Sequence, residues 1–175
     1  MSTQVLLLRG INVGGRHSVP MAALRELLSS LGCREIRTYI QSGNAVVEGP
    51  GDDLGPRLEA ALLARFGFAV PVIVRSAQDL RRLAQAHPLQ VPGALDKHLY
   101  VGFLSQEPDP ARVAALDPLR SPPDCFVVQG AEVFAHYPGG SARSRLTADW
   151  FDRCLGLTST WRNQATVRAL AALVG

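Results

Sequence analysis

Residues 5–32, VLLLRGINVGGRHSVPMAALRELLSSLG, contain the patterns from which we predict the fold. The apolar run Val5–Leu8 does not alternate with polar residues, so we predict a central strand with both faces covered. The glycine-rich loop Arg9–Val19 follows this strand. Pro20 suits the first turn of a helix, and leucines then recur at helical spacing until Gly32 ends it. The stretch therefore predicts a strand, a loop and a helix.

The next residues predict two strands joined by a hairpin turn, then a helix, an edge strand and a capped third helix. The elements are Arg34–Ile40, Ala45–Glu48, a helix from Asp52 or Asp53 to Phe66, Val70–Arg75, and a helix begun by Ser76 and Asp79 that ends near Ala86. Up to the edge strand, this order is that of a ferredoxin-like fold, in which the first strand is central and the fourth lies at an edge. Leu7 and Leu28 are predicted core residues.

The second half repeats this order, with a helix predicted where a fourth strand would lie. Its elements are a strand His98–Leu104, a short helix between Asp109 and Pro118, strands Cys125–Gln129 and Glu132–Tyr137, and helices Ala142–Leu155 and Gln164–Val174. We predict an α+β fold of two related ferredoxin-like halves, with antiparallel-containing sheets and helices packed on one face. The halves are residues 1–86 and 97–175, joined by the connector 87–96 in one compact unit.

Composition indicates a globular cytoplasmic protein without membrane association. Hydrophobic residues make up 47% and charged residues 19% of the 175 residues. No apolar run approaches the roughly 20 residues of a membrane helix. Cys33, Cys125 and Cys154 are widely separated, which argues against a cysteine-based zinc site and favours a reducing compartment. The four histidines have no ligand-like spacing, so we expect neither a metal site nor a cofactor.

The positive charge is concentrated at the two ends of the chain. The formal net charge is +3, and residues 1–46 and 140–175 each carry five arginines against two acidic residues. If the ends meet in space they form one positive face, a feature that attracts phosphate-bearing partners. The alternative is that the charges are scattered, and the high pI, in a chain with almost no lysine, then reflects genome composition and not a binding partner.

The loop segment RGINVGG has the form GxxxGG, which matches neither a P-loop nor a dinucleotide-binding fingerprint. Consecutive glycines can turn backbone N–H groups toward an anion, and Arg9 and Arg16 add positive charge. The alternative is that the glycines only let a tight crossover loop pack against the sheet. Asn12 and the arginines are polar groups that packing alone would not need.

Two further polar segments have both a structural and a ligand-binding interpretation. The turn Gln41–Asn44 can be a simple hairpin turn, yet its amide side chains suit recognition of a base or peptide group. In the segment TWRNQAT, Asn163 is placed to cap the last helix, with the Thr166 hydroxyl free in its first turn. Arg162 beside a helix N-terminus indicates either a bound anion or an ion pair with Asp149 or Asp152.

Four segments together resemble a bacterial family known as domain of unknown function 1697. They are LLRGINVGG at Leu7–Gly15, VPMAALRELLSSLG at Val19–Gly32, TYIQSGNAVV at Thr38–Val47 and TWRNQATV at Thr160–Val167. The resemblance implies two related ferredoxin-like halves and no assigned activity. Where the family pattern leads us to expect a lysine after Ser144, this chain has Arg145, which keeps the charge but makes forked contacts.

These observations favour a binding module for a phosphate-bearing ligand, either a nucleotide or a nucleic acid, at one shared basic surface. The candidate ligand-binding residues are Arg9, Asn12, Gly14, Gly15, Arg16, Gln41, Ser42, Asn44, Arg145, Arg162, Asn163 and Thr166. One alternative is an enzyme acting on a phosphorylated small molecule, with His17 as the acid or base. Another is an interaction module without a ligand pocket. The sequence predicts no oligomeric state.

Overall fold

The computed structural model describes residues 1–175, which divide into two compact units. The first unit comprises Met1–Arg81 with Ala169–Gly175, and the second comprises Arg82–Arg168. The end of the chain thus joins the first unit, where Arg81 donates hydrogen bonds to the carbonyl oxygens of Gly175 and Val174 at 2.7 and 3.2 Å. The division into halves 1–86 and 97–175 with a connector stays a prediction.

The first unit contains a four-stranded antiparallel sheet. Its elements are β1 (Ser2–Leu8), α1 (Met21–Ser30), β2 (Arg34–Tyr39), β3 (Asn44–Gly49), α2 (Leu54–Phe66) and β4 (Val72–Ser76), followed by α3 (Ala77–Gln85), which crosses into the second unit. The strand order is β2-β3-β1-β4. As predicted, β1 lies inside the sheet and β4 at its edge, with Pro71 just before the edge strand.

Both faces of β1 are buried, as its unbroken apolar run predicts. Val5–Leu8 have no solvent exposure, and Leu6 and Leu8 belong to a core with the leucines of α1 and α2. Leu7 and Leu28 are likewise fully buried, so both core predictions are confirmed. Burial of one such leucine stabilises the fold by about 1.5–3 kcal/mol. The strand and the helix on either side of the loop are therefore anchored in the core.

The predicted helix ends of the first unit are only partly correct. Ser76 and Asp79 form the expected reciprocal cap: the Ser76 N–H donates to Asp79 Oδ2 and the Asp79 N–H donates to Ser76 Oγ, at 3.2 and 3.1 Å. Helix α2 ends at Phe66, as predicted, and Gly67 after it adopts the left-handed conformation. Asp53 occupies the N-cap position of α2 without accepting a capping bond. Its carboxylate instead lies 3.7 Å from the Arg57 guanidinium.

The second unit contains another four-stranded antiparallel sheet, of order β6-β7-β5-β8. A 3₁₀ turn at Asp96–His98 precedes its elements β5 (Leu99–Leu104), α4 (Pro110–Ala114), β6 (Cys125–Gln129), β7 (Glu132–His136), α5 (Ala148–Leu155), β8 (Ser159–Asn163) and α6 (Gln164–Val174), which ends in the first unit. The prediction that a helix replaces the fourth strand is wrong, because β8 pairs along β5. Trp161 packs over Gly102 of β5, and this contact holds β8 to the sheet.

The predicted helix Ala142–Leu155 begins too early. Helix α5 begins at Ala148, because the Thr147 hydroxyl oxygen accepts a hydrogen bond from the Trp150 N–H at 3.2 Å and caps the helix there. The residues before the cap form turns, with the Ser144 N–H donating to the Ser141 carbonyl oxygen at 3.2 Å. The glycines and serines of this segment favour turns over a helix.

His87 is buried at the start of the predicted connector, and we predict that its protonation destabilises the protein. Its Nε2 lies 3.0 Å from the Tyr100 carbonyl oxygen, and its Nδ1 accepts a hydrogen bond from the Leu89 N–H at 3.1 Å. This network defines a neutral ring with the proton on Nε2. Burial lowers the pKa of His87 below its ordinary value of 6.5, so the unfolded chain takes up this proton at a higher pH than the folded protein.

The stability contributed by neutral His87 is complete above pH 6.5 and is lost as the pH falls through the lowered pKa. Within that interval, the free energy of unfolding should fall by up to about 1.4 kcal/mol per pH unit from this one group. Urea unfolding between pH 5 and 8 measures the slope. His87→Gln should flatten it. Equal slopes in the wild type and His87→Gln would contradict the prediction.

None of the helices combines the length and the apolar character needed to cross a lipid bilayer. The three cysteines are free: Cys33 is buried, Cys154 is half-buried and Cys125 is exposed.

Candidate functional site

The glycine-rich loop folds into a small hairpin between β1 and α1. Val13 and Arg16 form an isolated antiparallel bridge, and the Arg16 N–H donates to the Val13 carbonyl oxygen at 3.0 Å. Between them, Gly14 and Gly15 have φ of 58° and 71°. Two successive residues with positive φ are what a tight two-residue hairpin turn requires, and glycine adopts them without strain. We call the segment Val13–Arg16 the hairpin tip.

Asn12 fixes the base of the hairpin. Its Nδ2 donates to the carbonyl oxygens of Val19 and Gln41 at 2.9 and 2.7 Å, and its Oδ1 accepts from the Val19 N–H at 2.8 Å. Its own N–H donates to the His17 carbonyl oxygen at 3.1 Å. Both amide hydrogens are therefore bound to backbone, so Asn12, which we predicted to contact a ligand, positions the loop.

The turn between β2 and β3 lies directly against this loop. The Leu8 N–H donates to the Gly43 carbonyl oxygen at 2.9 Å, and Gly43 is packed against Leu8 and Ile11. Buried Asn44 donates to the Tyr39 carbonyl oxygen and to Ser42 Oγ at 2.9 and 3.1 Å. Asn44 and Ser42, predicted as ligand contacts, thus hold the turn.

The second arm of the hairpin is held by an aromatic contact. The ring of His17 stacks on Phe68 with centroids 4.4 Å apart and planes inclined by 15°. His17 has φ of 50°, an uncommon conformation for a residue other than glycine, so the surrounding contacts must maintain it. The stacked ring anchors the loop, and its predicted role as an acid or base stays a prediction.

The hairpin tip itself is exposed and open. Gly14 and Gly15 have no neighbouring atoms within 4 Å of where a side chain would begin, and their N–H groups donate to no protein acceptor. Arg16 is exposed beside them, and half-buried Arg9 begins the loop, with its N–H bonded to the Pro71 carbonyl oxygen at 3.0 Å. Peptide N–H donors next to a guanidinium are the groups that bind phosphate oxygens.

In the second unit, Arg162 is buried in strand β8, just before helix α6 begins. It lies within β8 with 7% of its surface accessible, and its Nη1 donates to Thr160 Oγ1 and to the Trp161 carbonyl oxygen at 2.8 and 2.9 Å. Burial lowers the pKa of Arg162 to about 10, which still leaves the guanidinium charged at pH 7. The sequence did not predict this burial, because it did not predict the strand β8 that carries Arg162.

The other predicted ligand-binding residues of the second unit occupy different positions in the structure. Asn163 caps α6, since its Oδ1 accepts from the Thr166 N–H at 2.9 Å, which confirms the predicted cap. Thr166 is buried in the first turn of that helix. Arg145 is exposed, and its N–H donates to Ser121 Oγ at 3.0 Å.

The structure thus joins the hairpin and the Gln41–Asn44 turn within the first unit. Arg145, Arg162, Asn163 and Thr166 belong to the second unit. The convergence of all three segments on one concave surface stays a prediction. Sequence reasoning missed Arg120 and Ser121, whose side chains bond to the Arg145 backbone, and Trp150, on which Arg120 stacks.

The glycine hairpin, its asparagine base and the turn beside it lie within the part of the chain that a family model covers. The sequence model of the family described as "Protein of unknown function (DUF1697)" matches residues 1–134. The chain belongs to this family. The match confirms the resemblance carried by the three N-terminal segments, and the segment Thr160–Val167 lies beyond the matched residues. No curated protein matches this sequence.

One solved structure shares the fold along the whole chain. It is the conserved bacterial protein SP0830 from Streptococcus pneumoniae, which is 22% identical in sequence and has a TM-score of 0.73. The alignment covers 99% of each chain. At this identity the similarity shows the fold alone.

Proposed function

We propose that the protein is a binding module for a phosphate-bearing ligand, which it holds at the hairpin tip. The observation that carries the proposal is the state of Gly14 and Gly15. Their left-handed backbone leaves two N–H groups without a protein acceptor, and nothing crowds the space beside them. Gly43, in contrast, lies against Leu8 and Ile11.

The fixed base of the hairpin supports the same proposal. Asn12 ties the loop to Val19 and Gln41, and the stacked His17 ties it to Phe68. A ligand that meets a loop already held in one conformation does not have to order it, which lowers the entropic cost of binding. Arg16 then supplies charge-assisted hydrogen bonds at the tip.

We propose further that both units are ferredoxin-like. The first unit follows the order strand-helix-strand-strand-helix-strand, and in both sheets the first strand of the unit lies inside with the fourth at its edge. Such sheets commonly carry nucleic-acid-binding surfaces, although this part of the argument is an analogy of fold. Within the second unit, Arg145 is exposed, whereas Arg162 and Asn163 have structural partners.

The test compares two variants of the tip with one control in the same unit. Gly14→Asn keeps the turn, because Asn-Gly is the preferred pair for positive φ at both positions, but it places a side chain beside the N–H groups. Arg16→Gln removes the charge. Arg34→Gln removes one exposed charge elsewhere in the first unit. Calorimetric titrations use inorganic phosphate, a mononucleotide and a single-stranded oligonucleotide.

We expect Arg16→Gln to weaken binding about ten- to a hundred-fold, the value of one charge-assisted hydrogen bond of roughly 1.5–3 kcal/mol. Gly14→Asn should weaken it at least about ten-fold, and Arg34→Gln less than about two-fold. An oligonucleotide should show a steep salt dependence, with a slope of about −0.7 per neutralised phosphate, and a mononucleotide a shallow one. Absence of binding to all three probes, or equal affinities of Gly14→Asn and the wild type, would refute the proposal.

A further inference from the structure

The second unit contains an arginine cluster, formed by Arg120, Arg143 and Arg145, that the hairpin proposal does not use. Arg120 is its most constrained member. Its Nε donates to the Arg145 carbonyl oxygen at 2.9 Å, and its guanidinium carbon lies 4.8 Å from the centroid of the Trp150 ring. Stacking on an indole together with one hydrogen bond fixes the plane of a guanidinium and leaves its two terminal nitrogens directed elsewhere.

The turn that carries the other two arginines is also fixed. Ser121 Oγ accepts from the Arg145 N–H at 3.0 Å and donates to Asp124 Oδ2 at 3.1 Å. Ser144 Oγ accepts from the Leu146 N–H at 3.1 Å, and the Tyr137 hydroxyl donates to the Leu146 carbonyl oxygen at 2.9 Å. The hydroxyl groups therefore stabilise the turn. The guanidinium groups of Arg143 and Arg145 are exposed to solvent.

None of the three guanidinium groups forms an ion pair. The nearest carboxylate in the hydrogen-bond network, Asp124, is bound by the Ser121 hydroxyl. Arg143 and Arg145 are exposed and Arg120 is half-buried. Arg143 and Arg145 lie on one turn, and Arg120 is bonded to the backbone of that turn, so an anion there can accept hydrogen bonds from these guanidinium groups. Other arginines show the usual arrangement, as Arg168 does with Asp96 at 2.9 Å.

We infer that the arginine cluster binds a phosphate group, with Arg120 as its oriented forked donor and Arg143 and Arg145 as its flanking charges. The cluster belongs to the second unit and the hairpin tip to the first, and the inference does not depend on the function proposed for the tip. The matching ligand chemistry is a phosphate monoester or a phosphodiester, because a guanidinium fork fits two phosphate oxygens at once.

The experiment uses the full chain and the two tryptophan indole N–H signals in a ¹H–¹⁵N spectrum. Trp150 contacts Arg120, whereas the Trp161 indole donates to Ser159 Oγ, and the variant Trp161→Phe assigns the two signals. The probes are inorganic phosphate, a mononucleotide and a single-stranded oligonucleotide, each at low and high salt. The variants are Arg120→Gln, Arg145→Gln and, as a matched charge control, Arg153→Gln on α5.

We expect the Trp150 signal to shift on addition of a probe, and Arg120→Gln and Arg145→Gln each to weaken the binding at least about ten-fold. Arg153→Gln should change it less than about two-fold, and Gly14→Asn should leave it unaffected. Saturation by phosphate or the mononucleotide identifies a small ligand, whereas a response to the oligonucleotide alone with steep salt dependence identifies a phosphodiester chain.

Two results would overturn the inference. One is a Trp150 signal that none of the three probes shifts. The other is an equal loss of binding in Arg145→Gln and Arg153→Gln, because binding would then follow net charge and not this cluster. Arg145→Gln is the decisive variant if Arg120→Gln disturbs packing on Trp150, since the Arg145 side chain is exposed and makes no such contact.

Discussion

Replacement of Gly43 by alanine should lower the free energy of unfolding of the first unit by roughly 2–5 kcal/mol. Gly43 has φ of 94°, and a Cβ there would lie 2.8 Å from Leu8 Cβ and from Ile11 Cδ1. The left-handed backbone costs a residue with a side chain about 1–2 kcal/mol, and overpacking a core costs about 1–3 kcal/mol more. Leu8 Cβ belongs to the central strand, so it cannot move aside easily.

Urea unfolding of the variant measures this loss, and Gly14→Ala is the matched control. Gly14 also has positive φ, but no atom lies within 4 Å of its added Cβ. The control should therefore show the backbone cost alone, about 1–2 kcal/mol. Equal losses of stability in the two variants would contradict the close packing of Gly43 against Leu8 and Ile11.

The contrast between these two glycines shows why the sequence predicted the glycine-rich loop but not which glycines are packed and which are open. Both lie in glycine-containing turns, and both positions favour positive φ, so their sequence signals are alike. Only the fold brings Gly43 against Ile11 and leaves Gly14 open. The strand and helix around the loop could be predicted, because the unbroken apolar run Val5–Leu8 and the helical spacing of the leucines are strong local signals.

The same limit explains the polar residues that were predicted as ligand contacts. Asn12 and Asn44 resemble recognition residues in the sequence, since both are amides in glycine-containing segments. Asn12 is bound to Gln41, which lies 29 positions away, and a pairing at that distance leaves no local pattern. The cap by Asn163 was predicted correctly because its partner, Thr166, is only three residues away.

Strand β8 was missed for a related reason. Its five residues, STWRN, contain one large apolar side chain, and the strand is stabilised by pairing with β5 and by the contact of Trp161 with Gly102. Residues that pair across antiparallel strands point to the same face, so Arg162 shares a face with Val101. A short polar segment gives no local sign that the fold will pair it with β5 and bury its arginine.

Because Arg162 is buried, its removal should destabilise the protein. Arg162→Ala should lower the free energy of unfolding by roughly 2–4 kcal/mol, since a buried acceptor left without its donor costs about 1–3 kcal/mol and the lost side chain adds a cavity. The affected acceptors include Thr160 Oγ1 and the Trp161 carbonyl oxygen. Arg162→Met should recover the packing part of the loss, because it restores most of the volume without the charge.

Arg145→Ala is the control, since it removes the same side chain from an exposed position and should change stability by no more than about 0.5 kcal/mol. Thermal and urea unfolding of the three variants at pH 7 compares them while Arg162 is charged in the wild type. A change in Arg162→Ala as small as that in Arg145→Ala would mean that the guanidinium is not needed to hold β8. A large loss would instead show that this arginine belongs to the framework of the second unit.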